Sequence, residues 1–343
     1  MSALQPGVGP IRSDTYLPAE ASVVFWGELP CAADSPVLTI DPGTEVTIDT
    51  ISHEGILDDQ GRDPRRFFAQ FGDVEVLDDA IALAASPRDC GHGGPHVVTG
   101  PIRVEGALPG DLLKITVVET LQRVPYGVIS NRHGRGALPI GEVEPFSVFA
   151  RSDGDYGSLP TAGRSVRFPL KPFLGVMGVA VSGDQRPNSI PPGPHGGNID
   201  INLLAEGASL YLPVQVAGAL AYVGDPHFAQ GDGEVALTAM EASLRATLRF
   251  EVVPHAESVE LFGRLAGPLA ETSEFLVPTG MNEDLDVAVQ DCVRAAIALV
   301  QARYGLDQSH AYAYLSAATD FNISQVVDLV KGVHARIRKA DFS

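Results

Sequence analysis

Basic residues are scarce in this chain of 343 residues, which has 24 Lys and Arg against 43 Asp and Glu and a formal net charge of −19. Nucleic acids and anionic membrane surfaces attract proteins through clusters of basic residues, so this balance argues against both as partners. The chain has no run of 18 apolar residues, and we expect no transmembrane helix. Its first nine residues lack the basic and apolar segments of a secretory signal peptide, so none is expected.

Cysteine is also rare, since Cys31, Cys90 and Cys292 form an odd count without the spacing of a zinc finger. This usage is typical of a reduced compartment, and we expect a cytoplasmic protein. The chain contains no GxxxxGK[ST] phosphate loop and no GxSxG nucleophile elbow. A covalent mechanism would depend on Cys90, whose neighbour Asp89 disfavours the electropositive setting that a reactive thiolate needs.

Glycine and proline are frequent, with 36 and 26 residues, and their excess lies within the first 280 positions. Many turns between short strands would produce such a composition. Turn sequences at residues 41–44 and 109–111 separate alternating apolar runs, and residues 244–253 alternate like a half-exposed strand. The pattern therefore predicts mostly β-structure within the first 280 residues.

Helical periodicity begins after residue 280. Asn282 can cap a helix whose apolar residues recur from Leu285 to Leu299, and Gly305 is placed to end it. A second helix is predicted over 308–318, whereas 322–330 suits either a helix or a strand. A regular βαβ rhythm is absent, which counts against Rossmann and TIM-barrel folds.

We therefore predict an α+β, β-rich fold. Its N-terminal and central parts, residues 1–253, would form a β-rich core that contains one or two β subdomains. Residues 254–343 would form a C-terminal, helix-containing α/β portion that completes the same fold. With many strand edges and 45% hydrophobic residues, the chain is expected to form a homodimer or a higher homo-oligomer.

Four polar clusters lie in glycine-rich stretches, at residues 49–54, 90–96, 194–200 and 224–234. Imidazole and carboxylate ligands together suit Zn²⁺ or another divalent metal. The fourth cluster gives the strongest signal, because Asp225, His227, Asp232 and Glu234 occur within ten positions. His53, His92 and His96 are open between a role in such a site and an ordinary loop position.

Longer segments resemble the acetamidase/formamidase family. Residues 191–200, PPGPHGGNID, match the family's PGPHGGNMD-type segment, and residues 210–235 match its GALxxxGDxHxxxGDGE-type segment. Residues 98–113 are also similar, and the resemblance to the shorter bacterial members covers residues 35 to 335. It implies β-sandwich- and barrel-like parts, dimers or larger assemblies, a divalent metal that is often zinc, and hydrolysis of small amides to a carboxylate and ammonia.

The resemblance also points to a site. The first choice of metal ligands is Asp49, Asp225 and His227, with His195 or His96 as the fourth, and Zn²⁺ is expected with Ca²⁺ or another divalent ion as the alternative. His96 departs from the family, many members of which have Asn-Pro where this chain has His96-Val97. A metal-bound water would attack the amide carbonyl, with Glu234 as general base and Asn198 orienting the amide NH₂. Glu241 can exchange the roles of base and ligand with Glu234. The glycines expected to hold the oxyanion through backbone N–H groups are Gly196, Gly197, Gly231 and Gly233.

Two other functions stay open at this point. Aromatic residues near the N-terminus could line a larger pocket, and the chain would then hydrolyse larger or cyclic amides or imides. A non-catalytic metal- or ligand-binding homologue would keep the ligands without turnover.

Overall fold

Two large β-sheets form the body of the protein, for which a computed structural model describes residues 2–87 and 93–342. Cys90 and His92 lie outside these residues. The first sheet has its strands in the spatial order β1 (Thr15–Leu17), β4 (Glu45–Asp49), β16 (Leu244–Val253), β6 (Leu112–Gln122), β13 (Ser209–Pro213), β17 (Leu269–Glu271), β18 (Phe275–Asn282), β20 (Lys331–Arg338) and β19 (Asp320–Gln325).

The second sheet contains the strands that carry the polar clusters. Its main path runs in the order β10 (Arg164–Pro169), β9 (Tyr156–Thr161), β8 (Ser147–Ser152), β7 (Tyr126–Ser130), β15 (Met240–Glu241), β14 (Ala221–Ala229), β11 (Phe173–Val179) and β12 (Gly196–Asn198). Strand β5 (Val97–Val104) pairs with β14, and β2 (Val24–Trp26) and β3 (Leu38–Ile40) pair with β5. Apart from parallel pairs at β1–β4 and β3–β5, the strand pairs are antiparallel.

Helices are few and short except near the C-terminus. The helices are α1 (Pro64–Ala69), α2 (Asp78–Ala85), α3 (His255–Phe262), α4 (Leu285–Tyr304) and α5 (Gln308–Ala318), with 3₁₀ turns at Asp58–Gln60 and Lys339–Phe342. Among the described residues, none of these helices combines the length and the apolar character needed to cross a bilayer. The prediction of a β-rich α+β fold is confirmed.

The predicted long helix is confirmed, but its cap is Asp284 and not Asn282. The Asp284 side chain accepts hydrogen bonds from the backbone N–H groups of Asp286 and Val287, and Asn282 is the last residue of β18. Gly305 ends the helix with a φ of +70°, as expected. The ambiguous segment 322–330 begins within strand β19 rather than in a helix.

The main hydrophobic core contains side chains from both sheets, such as Ile48 and Leu113 from the first and Met177 and Val223 from the second. A second core joins α4 to the sheet, where Leu299 belongs to the same buried cluster as Val333 of β20. Strands from both sides of residue 253 share the first sheet. The division into 1–253 and 254–343 stays a prediction.

Candidate metal centre and active site

Strand β14 carries Asp225 and His227 in the middle of the second sheet. Residues two apart in a strand point to the same face, so their side chains can reach one site. Both residues are buried, and His227 lies opposite Glu241 of β15 in the strand register. Its Nε2 atom is 3.0 Å from Oδ2 of Asp225 and 3.1 Å from Oε1 of Glu241. The carboxylates of two neighbouring strands therefore flank one imidazole.

Two further histidines approach Asp225 from the loops beside it. His53 follows strand β4, and its Nδ1 lies 3.4 Å from Oδ1 of Asp225. His96 precedes strand β5, and its Nε2 lies 3.9 Å from Oδ2 of Asp225. Nδ1 of His96 is 3.0 Å from both the carbonyl oxygen and Oγ of Ser189. Such a partner fixes the ring and leaves the other nitrogen directed at the site, as in many metal-bound histidines.

The potential ligand atoms form overlapping sets whose members lie within 4.8 Å of one another. The sets are His53, His96 and Asp225; Asp225, His227 and Glu241; and Asp200, His227 and Glu234. Asp225 and His227 each belong to two of them. Of the expected ligands, the structure thus brings Asp225, His227 and His96 together.

Whether these residues fit a metal ion can be tested on their buried polar atoms. Within residues 2–87 and 93–342, the two ring nitrogens of His53, the two of His227 and both carboxylate oxygens of Asp200 have no hydrogen-bond partner. The short contacts of His227 therefore lack hydrogen-bond geometry. Unpaired buried polar groups are costly, and a divalent cation would satisfy imidazole and carboxylate together. The donor set fits a metal.

Strand β11 has a glycine, Gly175, at the position where the side chains of this cluster come together. A Cβ atom at Gly175 would lie 2.5 Å from Oδ1 of Asp200, 2.7 Å from Oδ2 of Asp225 and 2.7 Å from Cε1 of His227. Only glycine leaves these three side chains free to converge. The sequence FLGVMGV at residues 173–179 contained this signal, because an isolated glycine in a strand indicates a close approach.

Protons are unevenly distributed over the imidazoles and carboxylates of this cluster. Burial would raise the pKa of Asp225, but His227 and His96 lower it well below its usual value. Burial opposes charge on His227, yet Glu241 and Asp225 raise its pKa well above the usual value. Burial lowers the pKa of His96 to about 4, whereas the carboxylates around His53 outweigh burial and raise its pKa to about 9. The carboxylates thus attract positive charge into a buried place.

A second group of carboxylates lies beside the first. Burial and the Asp225 carboxylate raise the pKa of Asp200 to about 7. Burial and the neighbouring Asp200 raise the pKa of Glu234 and that of Asp328 well above their usual values. Perturbed carboxyl groups that share a cleft are typical of functional sites.

Most of the clustered side chains line one cavity of about 540 Å³, although His227 does not. The residues of the cluster that line it are His53, His96, Asn198, Asp200, Asp225, Glu234, Glu241 and Asp328. Asn198 donates a hydrogen bond from Nδ2 to the carbonyl oxygen of Ile190, and among the described residues its Oδ1 has no partner. The expected catalytic residues Asn198, Glu234 and Glu241 therefore meet at the cavity.

The structure places Asp49 in a different setting. Its carboxylate pairs with Arg245, with Nε 2.6 Å from Oδ1 and Nη2 3.0 Å from Oδ2, and it accepts a hydrogen bond from the Tyr16 hydroxyl. Arg123 lies 3.5 Å away. Because these groups occupy both oxygens, and because Asp49 is absent from the converging sets, the geometry does not support it as a ligand. His53, four residues later, reaches the site instead.

His195 and the four glycines are also outside the cavity lining. The His195 ring is buried against Gly193 and Gly197, and burial lowers its pKa to about 4. The backbone N–H of Gly196 already donates to the Gly193 carbonyl oxygen. That of Gly233 donates to Ser324, and Gly231 does not line the cavity either. The structure thus offers no support for these glycines as an oxyanion hole.

Asp232, the remaining acidic residue of the fourth cluster, is engaged elsewhere in the fold. Its carboxylate accepts hydrogen bonds from Asn202, Asn322 and Arg336 at 2.6 to 2.9 Å. It connects the loop after β14 to strands β19 and β20.

Comparison with known proteins identifies the family. The model of the Acetamidase/Formamidase family matches residues 74–186 and 183–337. This chain belongs to the acetamidase/formamidase family. The relatives that it resembles are named as formamidases and acetamidases, and the resemblance inferred from the sequence is confirmed.

Individual relatives are distant in sequence. The chain is 25% identical to the formamidase of Methylophilus methylotrophus over 309 residues, which are 68% of this chain and 74% of that protein. It is 27% identical to the acetamidase of Mycolicibacterium smegmatis over 207 residues, 43% of this chain and 51% of the relative. The chain spans about half the length of that acetamidase and of a relative from Schizosaccharomyces pombe.

The fold is shared over nearly the whole chain with solved structures. The acetamidase of Bacillus halodurans superposes with a TM-score of 0.76 at 26% identity, covering 96% of this chain and 98% of that one. A predicted acetamidase/formamidase of Thermoanaerobacter tengcongensis gives a TM-score of 0.75 at 26% identity, covering 95% of this chain and 97% of that one.

Proposed function

We propose that this chain is a metal-dependent hydrolase of small linear amides, which it converts to a carboxylate and ammonia. Family membership supports amide hydrolysis. The observation that supports a metal is the convergence of buried, hydrogen-bond-free His and Asp atoms around the space left by Gly175. We propose Asp225 as the central ligand, with His53 and His96 on one side and His227 and Glu241 on the other.

The donor chemistry suits Zn²⁺, which accepts imidazole nitrogen and carboxylate oxygen in one site. Such an ion would polarise the amide carbonyl and lower the pKa of a coordinated water. We propose no fixed stoichiometry, because the overlapping ligand sets could hold one ion or two.

Glu234 is the proposed base. Its carboxyl lines the cavity beside Asp200 and His227, and its raised pKa makes the ionised form a stronger base. It would take a proton from the attacking water and deliver it to the nitrogen, since an amide anion is a poor leaving group. Asn198 would accept a hydrogen bond from the substrate NH₂ at its unpartnered Oδ1. This assignment leaves Glu241 as ligand rather than base.

The direct test is ammonia release from formamide and acetamide before and after chelation, with Zn²⁺ added back. Turnover that disappears on chelation and returns with the ion supports the proposal. Turnover that persists when metal analysis finds none would refute metal dependence. Failure to release ammonia from any amide by metal-loaded protein would favour the non-catalytic homologue.

Glu234→Gln separates the base from the ligands. We expect unchanged metal content and a kcat lower by about 10²-fold or more, because general acid–base groups contribute this much. Glu260→Gln removes the same charge from an exposed position on α3 and is the matched control. A Glu234→Gln protein with normal kcat would assign the proton transfer to another group.

A larger substrate is the second candidate, and the cavity volume favours it. With liquid water at about 30 Å³ per molecule, 540 Å³ corresponds to roughly 18 waters, whereas formamide has three heavy atoms. Larger amides and imides therefore belong in the assay.

A further inference from the structure

The wall of the cavity changes character between its floor and its mouth. The floor carries the carboxylates and imidazoles of the candidate site, whereas Arg132, Arg135 and Lys331 line the same cavity. Three cationic side chains around one cavity are unusual in a chain with a net charge of −19, and of the three Arg135 is exposed whereas Arg132 is mostly buried. Only those charges that no carboxylate neutralises can attract an anionic ligand.

Arg132 is neutralised, because its Nη2 lies 2.8 Å from Oε1 of the buried Glu54. The two other cations have no such partner. Within residues 2–87 and 93–342, the exposed Arg135 guanidinium makes neither a hydrogen bond nor an ion pair. Lys331 donates from Nζ to the backbone carbonyl oxygens of Glu283 and Leu329, so in the same part of the chain no carboxylate balances its charge. Both residues present unpaired positive charge to the cavity.

Apolar side chains lie in the same wall. The apolar side chains among the lining residues include Ile140, Leu237, Val326, Val327 and Leu329. Ile140 and Leu329 are 79% and 64% exposed, although large apolar side chains usually seek burial. A ligand that occupied the cavity would cover part of this surface.

The arrangement matches a molecule with three parts. An amide group would occupy the floor, an aliphatic segment would contact the apolar wall, and an anionic group would meet Arg135 and Lys331. The carboxylates at the floor set the orientation of this molecule, because they repel its anionic group and so favour the amide group at the floor. A sphere of 540 Å³ is about 10 Å across, which accommodates a short chain between the two polar ends.

We propose that the mouth of the cavity is a carboxylate-binding subsite formed by Arg135 and Lys331, and that the preferred substrates are monoamides of aliphatic dicarboxylic acids. This inference rests on the proposed amide hydrolysis and specifies its substrate class. The reaction adds water across the C–N bond, so the products are the dicarboxylate and ammonia.

The test compares three substrates of similar length on the purified, Zn²⁺-supplied chain: glutaramate, its methyl ester and pentanamide. Only the first carries the negative charge. We expect a higher kcat/KM for glutaramate than for the ester, and a ratio that declines with added salt as the charges are screened. Succinamate and adipamate then measure the best separation between amide and carboxylate.

Arg135→Gln tests the subsite, since an exposed side chain that makes no hydrogen bond or ion pair within the described part of the chain is not needed for folding. We expect the glutaramate-to-ester ratio of kcat/KM to fall about fivefold, the effect of one partly exposed charge pair of about 1 kcal/mol. Lys331→Gln should lower the same ratio, and the double variant should lower it further. Arg164→Gln makes the same charge change at an exposed position on β10, outside the cavity lining, and should leave the ratio as it is.

The outcomes separate the two proposals. Equal hydrolysis of all three substrates, with a ratio that Arg135→Gln does not change, would overturn the carboxylate subsite and leave amide hydrolysis intact. A preference for pentanamide would do the same. No ammonia from any of them, nor from formamide or acetamide, would overturn the proposed function and this inference with it.

Discussion

Gly175→Ala is the sharpest perturbation of the candidate metal centre, because it adds one methyl group at its edge. The new Cβ would lie 2.5 Å from Oδ1 of Asp200 and 2.7 Å from both Oδ2 of Asp225 and Cε1 of His227, where ordinary contacts begin at 3.4 Å. Relief therefore requires shifts of about 0.9 Å (3.4 − 2.5) and 0.7 Å (3.4 − 2.7). Metal–ligand distances vary by only about 0.2 Å, so shifts of this size would move the candidate ligands out of binding distance of an ion.

The fold should survive this change. Overpacking a core position costs about 1–3 kcal/mol, against a typical free energy of unfolding of 5–15 kcal/mol. We therefore expect a folded protein with reduced metal content and a kcat lower by about 10²-fold, the effect of a displacement near 1 Å. Metal analysis after dialysis against Zn²⁺, ammonia release and a thermal melt measure the three quantities.

Gly267→Ala is the matched control, because its Cβ would approach nothing nearer than Pro194 Cα at 3.9 Å. It should retain metal and activity. A Gly175→Ala protein with full metal content and normal kcat would refute the reasoning, since the converging side chains would then not be the ligands.

Four further predictions concern the ion pair of Asp49, the bound ion, the buried His334 and the oligomeric state. Asp49→Asn leaves the buried Arg245 without its partner and should lower the free energy of unfolding, measured in urea, by about 3–5 kcal/mol. The metal content of the folded fraction should not change, and a loss of metal would restore Asp49 as a ligand. Chelation should lower Tm, because it removes the cation from the buried carboxylates; an unchanged Tm would argue against a bound ion. Burial lowers the pKa of His334 to about 4, so between pH 6.5 and 4 the unfolded chain binds a proton that the folded chain does not, and the free energy of unfolding falls as the pH falls. From pH 7 to pH 5, the free energy of unfolding of His334→Gln should therefore fall by up to about 2 kcal/mol less than that of the parent. Equal decreases in the two proteins would contradict this. Light scattering on the purified chain should give the mass of a homodimer or larger assembly, and a monomer would contradict the expectation.

The fold was largely predictable from local patterns. Residues 244–253 form strand β16 between β4 and β6 as predicted, and residues 308–318 form the predicted second helix. The expectation that β16 is half-exposed is wrong, because the polar side chains of Arg245 and Thr247 are buried in contact with Asp49 and Thr47 of β4. The helix cap was misassigned because Asn282 and Asp284 both suit that position, and only the end of β18 decides between them. The order of strands within the two sheets could not be predicted, because it depends on contacts between distant segments.

The candidate site was predictable where its residues are close in sequence. Asp225 and His227 share a strand, and Glu234 and Glu241 follow within the same segment. Asp49 was expected as a ligand from its position in a motif, but sequence does not reveal that Arg245 of the neighbouring strand β16 would pair with it. His53 could not be separated from an ordinary loop residue, because its role depends on reaching Asp225 across 172 positions (225 − 53).

The short segment from Asp49 to His53 contains both a buried ion pair and a candidate metal ligand. Asp49 ends strand β4 in a buried ion pair with Arg245, and the chain then runs only four residues to His53. His53 lies between Glu54, 3.6 Å away, and Asp225, 3.4 Å away, while Glu54 also pairs with Arg132 at the cavity wall. The ion pairs on both sides restrict the loop that presents the imidazole. In the proposed site, Asp49 would therefore shape the geometry without binding the ion, because it fixes the strand end from which His53 is presented.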